Sequence, residues 1–441
     1  MRVRQQKEKL LLSAKGLMTL VRESISSIKE PSKKAQGLPS KIAIQDCLMS
    51  ALAVFGLKYP SLLQFDLHKS DSKVRHNLNS LYGIEQVPSD TYMRSRIDEV
   101  DPQELRRSYK GIFSAIQRGK VLENYTFIDG HYLLAIDGTE FFCSHEVHCE
   151  NCCARNHRDG SKTYYHQMLA GVIVHPDHRE VFPLYPEAIL KRDGQKKNDC
   201  EKNAASRFLE DFRREHPHLP VIVVQDALSA NGPHIRRLQD LKMSFIIGIK
   251  PAGNKTLFSR VEGIQQNTFK MQTGGSTYRF RFVNGVPLND SNQELKVNFF
   301  ECWETTAKGE IRHFSWITNI EITKKNIYKL SCGGRARWHI ENETFNTLKN
   351  QGYHFEHNFG HGYKNLSNVF ALLMMLAFLI DQVQQRCCGL FQDAWKKQVT
   401  KSNLWDLMRS LFRTCFISNW ADFFAAIAYG YKASILHPNT S

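Results

Sequence analysis

A chain of 441 residues that is 42% apolar is long enough for two or three separate cores, which excludes a small disulfide-stapled scaffold and a wholly disordered polymer. Its formal net charge is +15, and residues 1–45 hold ten Lys or Arg against three Glu, so the expected partner is a polyanion, most simply DNA. A basic surface that serves only solubility is the plainer alternative. The opening Met1-Arg-Val-Arg-Gln-Gln-Lys lacks the apolar core of a secretory signal, and the run Val369 to Ile380 is about half of the roughly 20 residues that span a bilayer. Eleven Cys, several of them adjacent, suit reduced thiols. The expected compartment is the cytoplasm, at the chromosome.

Residues 1–125 read as a mostly helical DNA-binding region. Ile42-Ala-Ile and Cys47–Phe55 make an apolar helix, and Ser89-Asp-Thr-Tyr-Met-Arg-Ser-Arg-Ile97 opens on capping residues and displays Arg94 and Arg96. Either this region inserts a helix into a DNA groove through Arg94 and Arg96, or it is a bundle that scaffolds the rest.

From 126 to 251 the pattern changes. Strands are expected at His131–Asp137, Tyr164–Val174, Glu180–Tyr185 and Pro220–Gln225, a helix at Asp199–His216, a second helix at Gly232–Leu241 and a strand at Met243–Ile249. Three strands, a helix, a strand, a helix and a strand is the order of a ribonuclease H-like mixed sheet with flanking helices, an α/β class. Between the first two strands, Cys143 to His157 is dense in soft ligands. Cys149-x-x-Cys152 has the spacing of half a zinc knuckle, with Cys200 a remote ligand and His145 or Cys143 completing four; a reduced, metal-free loop is the alternative.

Residues 252–325 read as a β-rich insertion. Tyr278–Val283 alternates, Asn284-Gly285 reads as a hairpin turn, and Leu295–Trp303 and Arg312–Thr318 are further strands carrying Trp303 and Trp316. Residues 326–395 return to the core through the helix Arg335–Lys349, then a loop with His354, His357 and His361, either phosphate or metal contacts or plain loop histidines, and an apolar helix at 366–390. Residues 396–441 form a helical tail.

Three acids stand out. Asp137 and Asp226 each end an apolar run, and open α/β sheets place ligands at the carboxyl ends of strands. On a helical wheel of about 100° per residue, Glu341 shares its stripe with Arg337, Trp338, Phe345 and Leu348, whereas Glu343 falls about 200° away. A carboxylate on an apolar stripe needs a compensating cation. Two strand-end Asp and a helical Glu can hold a pair of divalent ions about a phosphodiester, and such hard ligands favour Mg²⁺ or Mn²⁺.

On Ile136-Asp137-Gly138-Thr139, Gln225-Asp226-Ala227, Arg337-Trp-His-Ile-Glu341 and the following Phe345–Tyr353 and Glu356–His361, the chain resembles a DDE transposase of bacterial insertion sequences over roughly residues 125–390. The resemblance implies a ribonuclease H-like core with a β-rich insertion before the Glu, catalysis by Asp137, Asp226 and Glu341, and DNA contacts from Arg337 and Lys349. It also implies an insertion aromatic, Trp316, that holds a flipped base; a Trp packed inside the β-rich segment is the alternative. The family pattern has a Tyr three residues before the Arg, where this chain has Gly334, and a Lys seven after the Glu, where it has Leu348 with Lys349 one place on. The implied activity is cleavage and strand transfer, with terminal inverted repeats and target DNA as partners, and a homodimer is expected because both ends must meet. The rivals are a domesticated nuclease or resolvase of the same fold, and a DNA-binding regulator without catalysis.

Overall fold

The computed structural model describes residues 11–31, 41–191 and 199–431. They fall into two compact units, a helical one built from Met1–Lys120, Phe141–Cys152 and Thr347–Ser441, and a sheet unit built from Val121–Glu140 and Cys153–Asn346. Part of the basic stretch at the start of the chain lies outside the described residues.

The helical unit begins with α1 (Ala14–Ser26), α2 (Ile44–Gly56), α3 (Leu62–Asp66), α4 (Ser72–Tyr82), α5 (Asp90–Ile97) and α6 (Arg106–Arg118). Side-chain oxygens satisfy the free amides at several starts: Ser13 accepts from Gly16 N, Asp71 from Lys73 N and Val74 N, and Ser89 from Tyr92 N. α2 is the most apolar of them, with ten buried residues from Ile44 to Phe55.

The sheet unit holds β1 (Tyr132–Ser144), β2 (Cys153–Asn156), β3 (Lys162–His175), β4 (His178–Pro183), β5 (Glu187–Ile189), α7 (Glu201–Glu215), β6 (Val221–Gln225), α8 (Gly232–Asp240), β7 (Ser244–Gly248), α9 (Lys255–Glu262), β8 (Asn267–Thr273), β9 (Ser276–Asn289), β10 (Asn292–Thr305), β11 (Ile311–Thr318) and α10 (Ile327–Arg335). One sheet runs β2-β3-β1-β6-β7-β11-β10-β9-β8, with β4 and β5 paired to β3. Its central part, β4-β3-β1-β6-β7, is the 3-2-1-4-5 order of a ribonuclease H-like fold, with β1, β6 and β7 parallel. All five residues of β6 are buried, as a parallel strand covered on both faces requires.

The β-rich segment continues the central sheet: β11 pairs antiparallel with β7, and β8–β10 follow on from it. One expectation needs correction: Asn284-Gly285 is not a hairpin turn. β9 runs through it with Gly285 at φ 74° and a register shift opposite Asn298, whose Oδ1 accepts from Gly285 N at 3.0 Å. That is a bulge, and the reversal comes at Asp290-Ser291, between the paired Asn289 and Asn292.

After α10 the chain does not continue as a regular helix. Ile340–Phe345 is π-helical, with Asn346 N–H bonded to Glu341 O five residues back, and α11 (Asn346–Asn350) follows.

The helical unit is completed by α12 (Leu366–Cys387), α13 (Gly389–Lys396), α14 (Lys401–Thr414) and α15 (Trp420–Tyr429). The expected tail is therefore part of the same unit as the N-terminal helices. By length and composition α12 could cross a membrane, and 89% of its apolar window is buried within the fold. It is the core helix: α2, α6 and α1 pack against it, and Tyr109 donates to Leu372 O at 2.6 Å. Asp98 accepts from the amides of Tyr363, Lys364, Asn365 and Leu366 at 2.9–3.0 Å, which fixes the entry to α12. Beneath it, fully buried Lys58 pairs with Asp381, which also accepts from Tyr353 at 2.5 Å.

Candidate active site

β1 is apolar and buried from Leu133 to Ile136, and β6 likewise from Val221 to Val224. Their parallel register pairs Tyr132 with Val221 and Ala135 with Val224. Two residues beyond the last of these pairs lie Asp137, within β1, and Asp226, just past the end of β6, and both line one cleft. β1 itself runs on to Ser144, so Asp137 lies inside the strand, just past the end of the parallel ladder. Asp226 directly follows the last residue of β6 and caps the next turn, its Oδ1 accepting from Leu228 N at 3.1 Å.

The third acid comes from the π-helical segment. Arg337 donates from Nη1 to Asp137 Oδ2 at 3.0 Å and to Glu341 Oε1 at 2.6 Å, so one guanidinium ties the two carboxylates together. Glu343 makes no such contact. Burial raises Asp137 above the ordinary carboxyl value; Arg337 and the Gly138 amide oppose it, while Glu341 and Asp226 add to it, and the balance is about 7. Trp338, placed by the wheel on the sheet-facing stripe, is instead 50% exposed, because residues 336–345 do not follow an α-helical repeat.

Asp137 and Asp226 line a cleft of about 1070 Å³ with Glu201, Lys202, His234 and Arg237. Glu201, in the first turn of α7, escaped the sequence reading, although Asp199-Cys200-Glu201 placed an acid at a helix start. A Cβ on Gly138 would sit 2.3 Å from Glu201 Oε1, so any side chain there would push this carboxylate away from the strand carrying Asp137. Burial, Asp226 and Glu140 raise its pKa. Burial pushes His234 down to about 4, so it is neutral and donates from Nε2 to Gln225 Oε1 at 2.6 Å.

The expected DNA contacts fare differently. Trp316 is 5% exposed and stacks on Phe300 and Phe314 at 5.1 and 5.7 Å; it is a core residue and is not available to a base. The same indole explains Gly334: a Cβ there would lie 2.4 Å from Trp316 Nε1, leaving no room for a tyrosine. Trp303 is held between His313 and Arg279, at 4.7 and 4.4 Å. Trp338, which sequence reasoning assigned to the core, lines a second cavity of about 540 Å³ with Arg312, Phe314, Arg335 and His339. In the helical unit, Arg94 pairs with Asp90 at 3.0 Å, Arg96 with Glu30, and Lys349 with Glu356 at 2.9 Å.

The expected zinc set also changes. Cys149 and Cys152 come together with His361, and His145 is not in that group. Cys200 is at the start of α7 in the sheet unit, where it lines the acidic cleft.

No protein-family model matches the chain, and no curated protein matches it. Among solved structures it is similar to a piggyBac transposase in a synaptic complex with hairpin DNA, at 11% identity and a TM-score of 0.41, over 97% of this chain and 87% of that chain. Strand order and register, and not this distant likeness, define the fold.

Proposed function

We propose that the protein is a metal-dependent DNA transposase of the DDE type, which binds the terminal inverted repeats of its element and cleaves and joins DNA strands. The observation that supports this most is the register of β1 and β6, which sets Asp137 beside Asp226 in one cleft while Arg337 joins Asp137 to Glu341. A divalent cation fits this donor set. The raised pKa of Asp137 reflects its burial first and the neighbouring Glu341 and Asp226 carboxylates next, which a bound cation would offset, and the hard oxygens match Mg²⁺ or Mn²⁺.

Asp137, Asp226 and Glu341 would hold the metal. Bound there, divalent ions supply activation of the attacking oxygen and stabilisation of the leaving 3′-oxygen. The chain's own groups do the rest. Arg337 neutralises Asp137 and Glu341 before DNA arrives and has further N–H donors to offer a phosphate oxygen. Glu201, with its proton affinity raised by burial, can take up or release a proton at the rim of Asp226. Lys202 and Arg237 give the cleft positive charge for the DNA backbone. A homodimer follows from the need to bring two element ends together, and the chromosome is the place of action.

The test is strand nicking of a duplex carrying the inverted repeat that flanks the coding region. The wild-type chain should nick it with Mg²⁺ or Mn²⁺ and not with chelator. Asp226→Asn should lose nicking at least a hundredfold, on the order of 3 kcal/mol or more in the barrier, and keep end binding. Undiminished nicking by Asp226→Asn would defeat the proposal. Cleavage of branched duplexes with no preference for the repeats would move the reading to a resolvase.

A further inference from the structure

Cys149, Cys152 and His361 are separated by up to 212 positions in the numbering of the chain, yet their ligand atoms lie within 4.8 Å of one another in the helical unit. Cys149 Sγ and Cys152 Sγ are 3.9 Å apart, and Cys152 Sγ is 3.0 Å from His361 Nε2. A tetrahedral zinc, with sulfur at about 2.3 Å and nitrogen at about 2.1 Å, needs neighbouring ligand atoms about 3.5–3.8 Å apart, so side-chain adjustments of up to about 1 Å would complete the geometry.

The backbone around the pair is built for thiolates. Cys149 to Cys152 is a tight turn closed by Cys152 N–H to Cys149 O at 3.2 Å. Cys149 N–H points back at Cys152 Sγ, 3.4 Å away, as amides do toward metal-bound sulfur. His361 is held in place by Phe142, whose ring lies 4.5 Å from the imidazole, and Asn151 donates from its side chain to Lys364 O. Both segments are thus positioned before any ion arrives.

We infer that the helical unit carries a structural zinc site in which Cys149, Cys152 and His361 are ligands. The ion pins the turn that follows β1 to the loop that leads into α12. Soft thiolates with one imidazole select zinc over the hard cations suited to the acidic cleft, so the two metal sites differ in chemistry as well as in residues. This inference does not depend on the proposed reaction.

The full chain, expressed in zinc-replete medium and purified without chelator, should contain about one zinc per molecule by elemental analysis. Mercurial titration of the thiols should release it. Cys152→Ser and His361→Asn should each lower zinc content at least about tenfold, whereas Cys143→Ser and Cys200→Ser should leave it unchanged. Chain grown on cobalt in place of zinc should show a thiolate-to-cobalt charge-transfer band; this arm reads the wild-type protein and does not depend on a variant folding. Absence of zinc together with absence of that band would overturn the inference. So would full zinc content in both ligand variants, or zinc lost on replacing Cys200.

Discussion

Burial makes Asp137 hold its proton to about pH 7, well above the 3.8 of a free side chain. Below about pH 4 the folded and unfolded chains both carry that proton, and the full contribution to stability is present. Between about 4 and 7 the unfolded chain gives the proton up while the folded chain keeps it, so the contribution shrinks, and it is gone once the pH passes about 7. Asparagine cannot ionise. In metal-free protein, Asp137→Asn should therefore gain on the wild type as pH rises, by on the order of 1–3 kcal/mol between about pH 5 and about pH 8, read by denaturant unfolding. Parallel pH profiles for the two proteins would contradict this account of Asp137. Cation affinity should run the other way, since the metal needs the ionised form: binding should strengthen as pH rises through about 7.

At the scale of elements, the segment that carries Glu341 decides which carboxylate faces Asp137. Within a π turn, neighbours five residues apart replace those at four, so an α-helical wheel misplaces the side chains around it. Glu341 nevertheless meets Arg337, and through it Asp137, while Glu343 lies nearer His339, whose pKa it raises against the lowering effect of burial. Glu341→Gln should reduce strand nicking about a hundredfold or more, and Glu343→Gln should change stability by no more than about 0.5 kcal/mol and leave nicking close to wild type. The opposite ranking in the nicking assay would assign the third carboxylate to Glu343. The strands β1, β3, β6 and β7 were readable because buried runs of Val, Ile and Leu end at Gly, Pro or Asp, and their order indicates the sheet. The π turn was not readable, because its residues are those of an ordinary helix. Nor was the joining of β11 to β7, since edge pairing leaves no local mark. His361 was visible only as one loop histidine of three, because its partners are far away in sequence. Trp316 is buried and Trp338 exposed, the reverse of what was expected, because sequence gives the aromatic character of a residue but not which face of a strand or of an irregular helix it occupies.

For the whole molecule, the helical unit depends on a charge pair that burial opposes. Desolvation pulls Lys58 down and pushes Asp381 up, and each is restrained by the other. The ammonium also sits 4.0 Å from the Trp405 ring centre and 4.9 Å from that of Tyr353. Asp381→Asn should destabilise the protein by about 3–5 kcal/mol, because it strands a buried ammonium, whereas Lys58→Met with Asp381→Leu should recover most of that loss. Chemical denaturation of the three proteins tests this. A single variant as stable as wild type would mean that Lys58 is already neutral.

Lys58 meets a residue 323 positions further along the chain, and that separation has a meaning in time. At a synthesis rate of about 5–20 residues per second, roughly 15–65 seconds pass between the appearance of Lys58 and that of Asp381. Until α12 emerges, the apolar faces of α1, α2 and α6 lack the helix on which all three pack, and the sheet unit, which ends at Asn346, is completed only shortly before it. The first helices of a nascent chain are thus the segment most in need of a chaperone, and a message broken between Asn346 and α12 yields the whole sheet unit without the helix on which α1, α2 and α6 pack.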